Sequence, residues 1–181
     1  MQIIKTMIDD VLLIEPKVFG DDRGFFMESF NFRVWKEQTG LEFHFVQSNH
    51  SRSGKNVLRG IHYQLARPQG KLVRVVSGEV FDVAVDLRRS SPTFGRWVGE
   101  FLSADNKRQL WVPEGFGHAF LVLSESADFL YQTTDYWHPE DEHCLLWNDP
   151  TVGIQWPLEG EPLLSAKDQC GKRLHEAALY E

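Results

Sequence analysis

Arg59-Gly-Ile-His62-Tyr-Gln64 sets a guanidinium, an imidazole and an amide in a run whose Val57, Leu58 and Ile61 otherwise signal a strand. Each polar group is costly to bury unless it finds a partner, so the run points to a polar cavity within a sheet. Downstream, Gln69-Gly-Lys71, Pro113-Glu-Gly115-Phe-Gly-His118, Tyr131 and Ser165-Ala-Lys167-Asp168 add further groups. Together these segments supply a base, an acid, a cation and an orienting carboxylate. That set suits proton transfer at a carbon next to a carbonyl.

Every one of these residues also has a purely structural reading. His62 is compatible with a satisfied core histidine, although a nearby Arg59 favours an anionic or polar cavity. Strict alternation places Arg59 and His62 on opposite faces of a strand. A bulge at Gly60 would bring both into one cavity. Lys71 is either a solvated strand start or a cation held near a developing oxyanion. Pro113 and Gly115 need only turn chemistry, and His118 opens the next strand as a cap or as a ligand contact. Tyr131 reads as a buried tyrosine with a bonded hydroxyl unless it faces the same cavity as His62. Ser165-Ala-Lys-Asp168 fits a capping box, which the residues alone favour over a partnership between Asp168 and His62. No metal is expected. A catalytic metal site commonly takes three protein ligands, and His62 has no second His at +2 and no Glu in a fixed frame.

The elements that must position these groups are mostly short strands. The clearest hairpin runs from Lys71 to Val76, turns at Ser77-Gly78, and returns from Glu79 to Leu87. In its second strand Phe81, Val83, Val85 and Leu87 face one way, and Val80, Asp82, Ala84 and Asp86 the other. Further strands are predicted at 11–16, 43–48, 57–64, 96–102, 109–112, 119–123, 128–136 and 145–147. Their even number and near-regular spacing suggest a sandwich or barrel of jelly-roll type. Two helices are predicted, one from Asn31 to Gly40 with those residues as caps, and one after Ser165.

The 181 residues suit one domain over 1–181, long enough to bury about 70% of its unfolded surface. A net charge of −7 argues against a general nucleic-acid binder, so an anionic ligand needs a local basic pocket. Cys144 and Cys170 show no paired metal-ligand spacing. Lys5, Asp9 and Asp10 interrupt the first apolar residues, unlike a signal peptide, and no apolar run nears the roughly 20 residues of a membrane span. A soluble cytoplasmic protein without a membrane or nucleic-acid partner is expected.

In this order, the motifs resemble the dTDP-4-dehydrorhamnose 3,5-epimerase family of the cupin superfamily. The carriers are Pro16-Lys-Val-Phe19-Gly-Asp-Asp-Arg23-Gly-Phe-Phe-Met-Glu28, Gln47-Ser-Asn49-His-Ser51, Leu58-Arg-Gly-Ile-His62-Tyr-Gln64 and Gln69-Gly-Lys71. Gly78 to Asp86, Pro113 to Phe120, Trp147-Asn-Asp-Pro150 and Ser165-Ala-Lys-Asp168 continue the pattern, which spans Ile3 to Glu176. The resemblance implies a mainly β, cupin-type jelly-roll barrel with short flanking helices, assembled as a homodimer. It implies action on dTDP-4-dehydro-6-deoxy-D-glucose to give dTDP-4-dehydro-L-rhamnose, without a cofactor, on the route to dTDP-L-rhamnose and cell-surface polysaccharide. By the same match His62 is the base, Tyr131 the acid on the opposite face, Asp168 the partner orienting His62, and Lys71 the cation at the oxyanion. Arg23, Glu28, Gln47, Asn49, Arg59, Lys71, His118, Glu142 and Lys167 match the family's substrate contacts, with Arg23 and Glu28 reaching across from the second subunit.

A ketone at C4 acidifies the hydrogens at C3 and C5, which are axial on one face of a gluco-configured chair. One base below the ring and one acid above it therefore suffice for both centres. Unperturbed pKa values of about 6.5 for histidine and about 10 for tyrosine suit these roles at neutral pH. The competing readings are an epimerase acting at C3 or C5 only, a ketoisomerase on a related nucleotide sugar, a metal-dependent cupin oxygenase, and a sugar-binding module without chemistry.

Overall fold

The computed structural model describes residues 1–181. In chain order its elements are β1 (Gln2–Lys5), β2 (Leu12–Glu15), β3 (Val18–Asp21), β4 (Gly24–Met27), α1 (Phe32–Thr39), β5 (Gln47–Gly54) and β6 (Leu58–Gln64). There follow β7 (Lys71–Ser77), β8 (Glu79–Asp86), β9 (Trp97–Ser103), β10 (Gln109–Val112), β11 (Phe116–Val122), β12 (Ser126–Thr133), β13 (Glu142–Cys144) and α2 (Ala166–Gln169).

Alternation in β8 shows how the layers are built. Val80 and Ala84 enter a core between two facing sheets. Phe81, Val83 and Val85, with Leu87 just beyond the strand, enter a second core on the outer side, covered by a C-terminal stretch from Val152 to Leu179. One sheet has six strands in the order β1-β2-β10-β7-β12-β5, and the other five in the order β13-β6-β11-β8-β9. From β5 onward the chain shuttles between them except at β8 and β9, which pair within one sheet. This is the expected jelly roll, built as two facing sheets. A third core forms where Trp35 of α1 and Phe43 pack on Trp111, the last two rings stacked at 4.4 Å.

The hairpin expected across Ser77-Gly78 does not form. β7 pairs with β10 and β12, whereas β8 pairs with β11 and β9. Both faces of β8 are apolar enough to be buried, so it takes an interior place in the second sheet instead of folding back on its neighbour. Gly78, at a φ of 76°, turns the chain from one sheet to the other, and a Cβ there would strike the Ser126 carbonyl. Boundaries move as well. β5 starts at Gln47 because Phe43 and Phe45 leave the strand path to cover Trp111. β11 starts at Phe116, β12 ends at Thr133, and β13 lies at Glu142–Cys144 instead of 145–147. β1, β3 and β4 are strands that the residue pattern did not announce. The caps of α1 are as expected, with the Asn31 side chain accepting from the Val34 amide and Gly40 left-handed. No helix is long and apolar enough to cross a membrane.

Candidate active site

β6 and β11 run in register except at one point. His62 faces His118 and Arg59 faces Phe120, so Gly60 and Ile61 together oppose the single residue Ala119. This is a β-bulge, and it reverses the alternation that would separate Arg59 from His62. Gly60 adopts a φ of 115°, and a Cβ there would lie 2.6 Å from that of Ala119. Only glycine fits. Arg59 and His62 therefore line one cavity of about 350 Å³ between the sheets, within the usual range of ligand sites.

The five-stranded wall of this cavity carries Arg59 and His62 from β6, His118 and Phe120 from β11, and Glu142 from β13. The six-stranded wall carries Gln47, Asn49 and Ser51 from β5, Lys71 from β7, and Phe129 and Tyr131 from β12. Gln69, Trp137 and Lys167 complete the lining. His62 and Tyr131 thus approach the same space from opposite sheets.

His62 Nε2 lies 2.5 Å from Asp168 Oδ1. The other carboxylate oxygen of Asp168 accepts from the Ser165 hydroxyl at 2.7 Å, while the Asp168 amide donates to that hydroxyl at 3.1 Å. One buried side chain therefore both caps α2 and holds the imidazole, so the two readings of Asp168 are not exclusive. Burial pushes its carboxyl up, but the hydrogen bond and charge of His62, with help from Ser165, hold it below the ordinary carboxylate range.

Lys71 and Tyr131 belong to neighbouring strands, with Lys71 opposite Thr133 and Val73 opposite Tyr131. Burial lowers the Lys71 ammonium to about 8, against the pull of Glu142 and Asp82. Burial, then the charge of Glu142, raises the Tyr131 phenol, which keeps its proton. Glu142 forms an ion pair of 2.8 Å with Lys167, accepts from the Trp137 indole at 3.2 Å, and comes within 4.0 Å of His62 Nδ1. Desolvation raises the Glu142 carboxyl, but Lys167 and His62 outweigh it and the net shift is downward. Arg59 is exposed at the cavity edge, where its Nε donates to Ser53 at 2.9 Å. Gln47 donates to Asn49 at 2.9 Å and accepts from the Trp137 amide at 3.1 Å.

Arg23 and Glu28 are not brought to the cavity by their own chain. Arg23 pairs with Asp21 in the exposed β3–β4 arm, and Glu28 accepts from the Asn31 side chain. Trp137 and Asp82 went unforeseen. Trp137 lies in an irregular segment without periodicity, so it left no signal. Asp82 left one, since it interrupts an apolar, inward-facing register of β8. One set of possible metal donors does gather, with His62, Cys144 and Asp168 offering atoms within 4.8 Å of one another. Its chemistry is poor for a metal. His62 and Asp168 already bond each other, and burial pushes the Cys144 thiol up to about 12, far from a thiolate ligand.

A family profile described as dTDP-4-dehydrorhamnose 3,5-epimerase matches residues 5–176, a span that contains the whole cavity. The chain belongs to that family. It is 62% identical over 180 residues to the dTDP-4-dehydrorhamnose 3,5-epimerase of Pseudomonas aeruginosa, covering 99% of each chain. Its fold matches the dTDP-6-deoxy-D-glucose-3,5-epimerase of Legionella pneumophila, solved in complex with dTDP-4-keto-L-rhamnose, with a TM-score of 0.97. That pair is 54% identical, with 99% and 97% of the two chains covered. A more divergent family fold, a 3'-monoepimerase from Streptomyces bikiniensis solved with dTDP-quinovose, is 35% identical with a TM-score of 0.89. There 94% of this chain and 87% of that one are covered.

Proposed function

We propose that this chain is a dTDP-4-dehydrorhamnose 3,5-epimerase. It inverts C3 and C5 of dTDP-4-dehydro-6-deoxy-D-glucose to give dTDP-4-dehydro-L-rhamnose, without a cofactor, on the route to dTDP-L-rhamnose. The observation that carries the mechanism is the approach of His62 and Tyr131 to one cavity from opposite sheets. A ring held between them meets a base on one face and an acid on the other.

In this reading His62 removes the proton next to the C4 ketone, and the electron pair moves onto the C4 oxygen. Lys71 offsets the charge on that oxygen. Asp168 holds the imidazole with Nε2 protonated and stabilises the imidazolium that forms, as the carboxylate does in hydrolase triads. Tyr131 then delivers a proton to the carbon from the opposite face, inverting it. Once the imidazolium has released its proton to solvent and the phenolate has taken one back, the same pair acts at the second carbon. Arg59 and Lys167 bind the diphosphate through charge-assisted hydrogen bonds, with Gln47, Asn49, His118 and Glu142 as further contacts.

The active form is a homodimer of single-domain chains, residues 1–181, in the cytoplasm. The β3–β4 arm supports this, since it leaves Phe19, Phe25 and Phe26 at 53%, 62% and 68% exposure beside Arg23. A second copy that covers those rings would receive Arg23 and Glu28 at its site. The test is turnover of the 4-keto sugar nucleotide in heavy water. Deuterium at both C3 and C5 of the product is expected, and label at one carbon only would make this a single-centre epimerase.

A further inference from the structure

A second imidazole–carboxylate couple stands in the same wall and takes no part in the proton transfers above. Asp82 is fully buried in β8, and its two oxygens lie 2.9 and 3.0 Å from Nε2 of His118. His118 faces His62 directly across the β6–β11 ladder and lines the cavity, where its Nδ1 has no hydrogen-bond partner in the protein. A buried carboxylate is expensive unless it is paired, and the hydrogen-bond partner of this one is that ring, while its charge also acts on Lys71.

We propose that Asp82 is a positioning residue. It fixes His118 in the tautomer protonated on Nε2, so that Nδ1 presents a lone pair to the C2 hydroxyl of the substrate hexose. A carboxylate only accepts, so the ring nitrogen facing it carries the proton, and the other nitrogen of the neutral ring is left as an acceptor. Apart from the base His62, the acceptors in the lining that receive no donor from the protein are the Ser51 and Tyr131 hydroxyls, the Gln69 oxygen and His118 Nδ1, and of these only His118 is held by a buried carboxylate. Arg59, Lys71 and Lys167 can only donate. The Asn49 oxygen is taken by Gln47, the Gln47 oxygen by the Trp137 amide, and Glu142 by Lys167. These cations suit phosphate and the ketone oxygen, but a hydroxyl proton needs an acceptor, and His118 Nδ1 offers one. The C2 hydroxyl is the fitting donor because C2 keeps its configuration while C3 and C5 invert. A fixed acceptor can therefore hold it through both steps.

This inference rests on the epimerase reading of the cavity, and two measurements keep the two claims apart. Nitrogen-15 spectra of the free protein read the ring directly, with the His118 signals assigned by their loss in His118→Phe. The Nε2-protonated tautomer is expected in the unmodified protein, and a redistribution toward the other tautomer in Asp82→Asn. A ring protonated on Nδ1 alone in the unmodified protein would overturn the role of Asp82.

The second measurement compares kcat/KM for the normal substrate and its 2-deoxy analogue. The unmodified enzyme is expected to lose roughly 10–100-fold with the analogue, as for a buried acceptor left unpaired. Asp82→Asn and His118→Phe should be slower with the normal substrate yet show little further loss with the analogue. Calorimetric binding of dTDP shows which variants are folded, and His118→Phe carries the comparison if Asp82→Asn is not. An analogue penalty of the same size in folded variants and unmodified enzyme would overturn the hydroxyl assignment. An unmodified enzyme without epimerase activity would overturn the functional reading and the hydroxyl assignment together, while the spectra still decide the tautomer.

Discussion

On the five-stranded wall of the cavity, His62 and His118 each lean on a buried carboxylate, Asp168 or Asp82. On the six-stranded wall, Tyr131 and Lys71 have no acidic partner within hydrogen-bond reach, and burial is the largest influence on both. The difference separates two ways of preparing a group for chemistry. A partner fixes the orientation and tautomer of a ring that must accept a proton or a hydrogen bond. Desolvation needs no partner, and it pushes each group toward its neutral form. For the tyrosine, that secures the proton which the proposed mechanism has it donate. For the lysine it leaves an ammonium that regains stability when an anion arrives beside it.

The largest expected effect comes from removing the partnered base. His62→Ala should lower kcat by roughly 10²–10⁴-fold, or about 3–5 kcal/mol of barrier, with dTDP affinity retained. Asp168→Asn should slow turnover by less, since the base remains but its tautomer is no longer enforced. If His62→Ala turned over at a near-normal rate, the partnered wall would not hold the base.

A change on the other wall should divide the reaction instead of stopping it. Tyr131→Phe keeps the base, so in heavy water it should lose inverted product by more than it loses exchange of substrate hydrogens with solvent. Equal losses of both would make Tyr131 a general structural support. Normal inversion at both carbons would return it to the role of a core tyrosine.

The smallest effect is the pH signature of desolvation. With Lys71 at about 8, kcat/KM should fall as pH rises through that value, because the neutral amine no longer offsets charge on the ketone oxygen. The limb for kcat should lie higher, since a bound anion favours the ammonium. Lys71→Arg should remove the limb from this range if it retains activity, because guanidinium stays charged. Stability moves the other way. The folded value lies below the 10.5 of an ordinary lysine, so keeping the ammonium buried costs stability below about pH 8, and the cost is relieved as pH rises from 8 toward 10.5. Lys71→Met should therefore be more thermally stable than the unmodified protein at pH 7, with the gap narrowing toward pH 10. A gap independent of pH would show that burial does not tune this lysine.

Much of this site is legible in the order of residues alone. Polar residues in the His62 run announce a cavity, Gly60 announces the bulge, and the alternation of β8 names the residues that share each core. The partners of β8 are not legible. A turn such as Ser77-Gly78 serves a hairpin or a crossing between sheets equally well, and the choice depends on what covers the second face of the strand. Asp168 shows a different limit. Spacing alone offers a cap or a partner for His62 as rivals, yet a carboxylate has two oxygens and here serves both.

The sequence by itself determined the kinds of chemistry available, the local backbone at Gly60 and Gly40, and, through its motifs, the family. Tertiary structure decided which groups meet. His62 and Asp168 stand 106 residues apart in the chain, and His118 and Asp82 stand 36 apart. His62 and Tyr131 belong to different sheets, so only the facing of those sheets puts them around one space. The physical reason is range. Turn, cap and bulge preferences act over a few residues of chain, whereas a hydrogen bond between strands depends on the burial of two cores assembled from the whole chain.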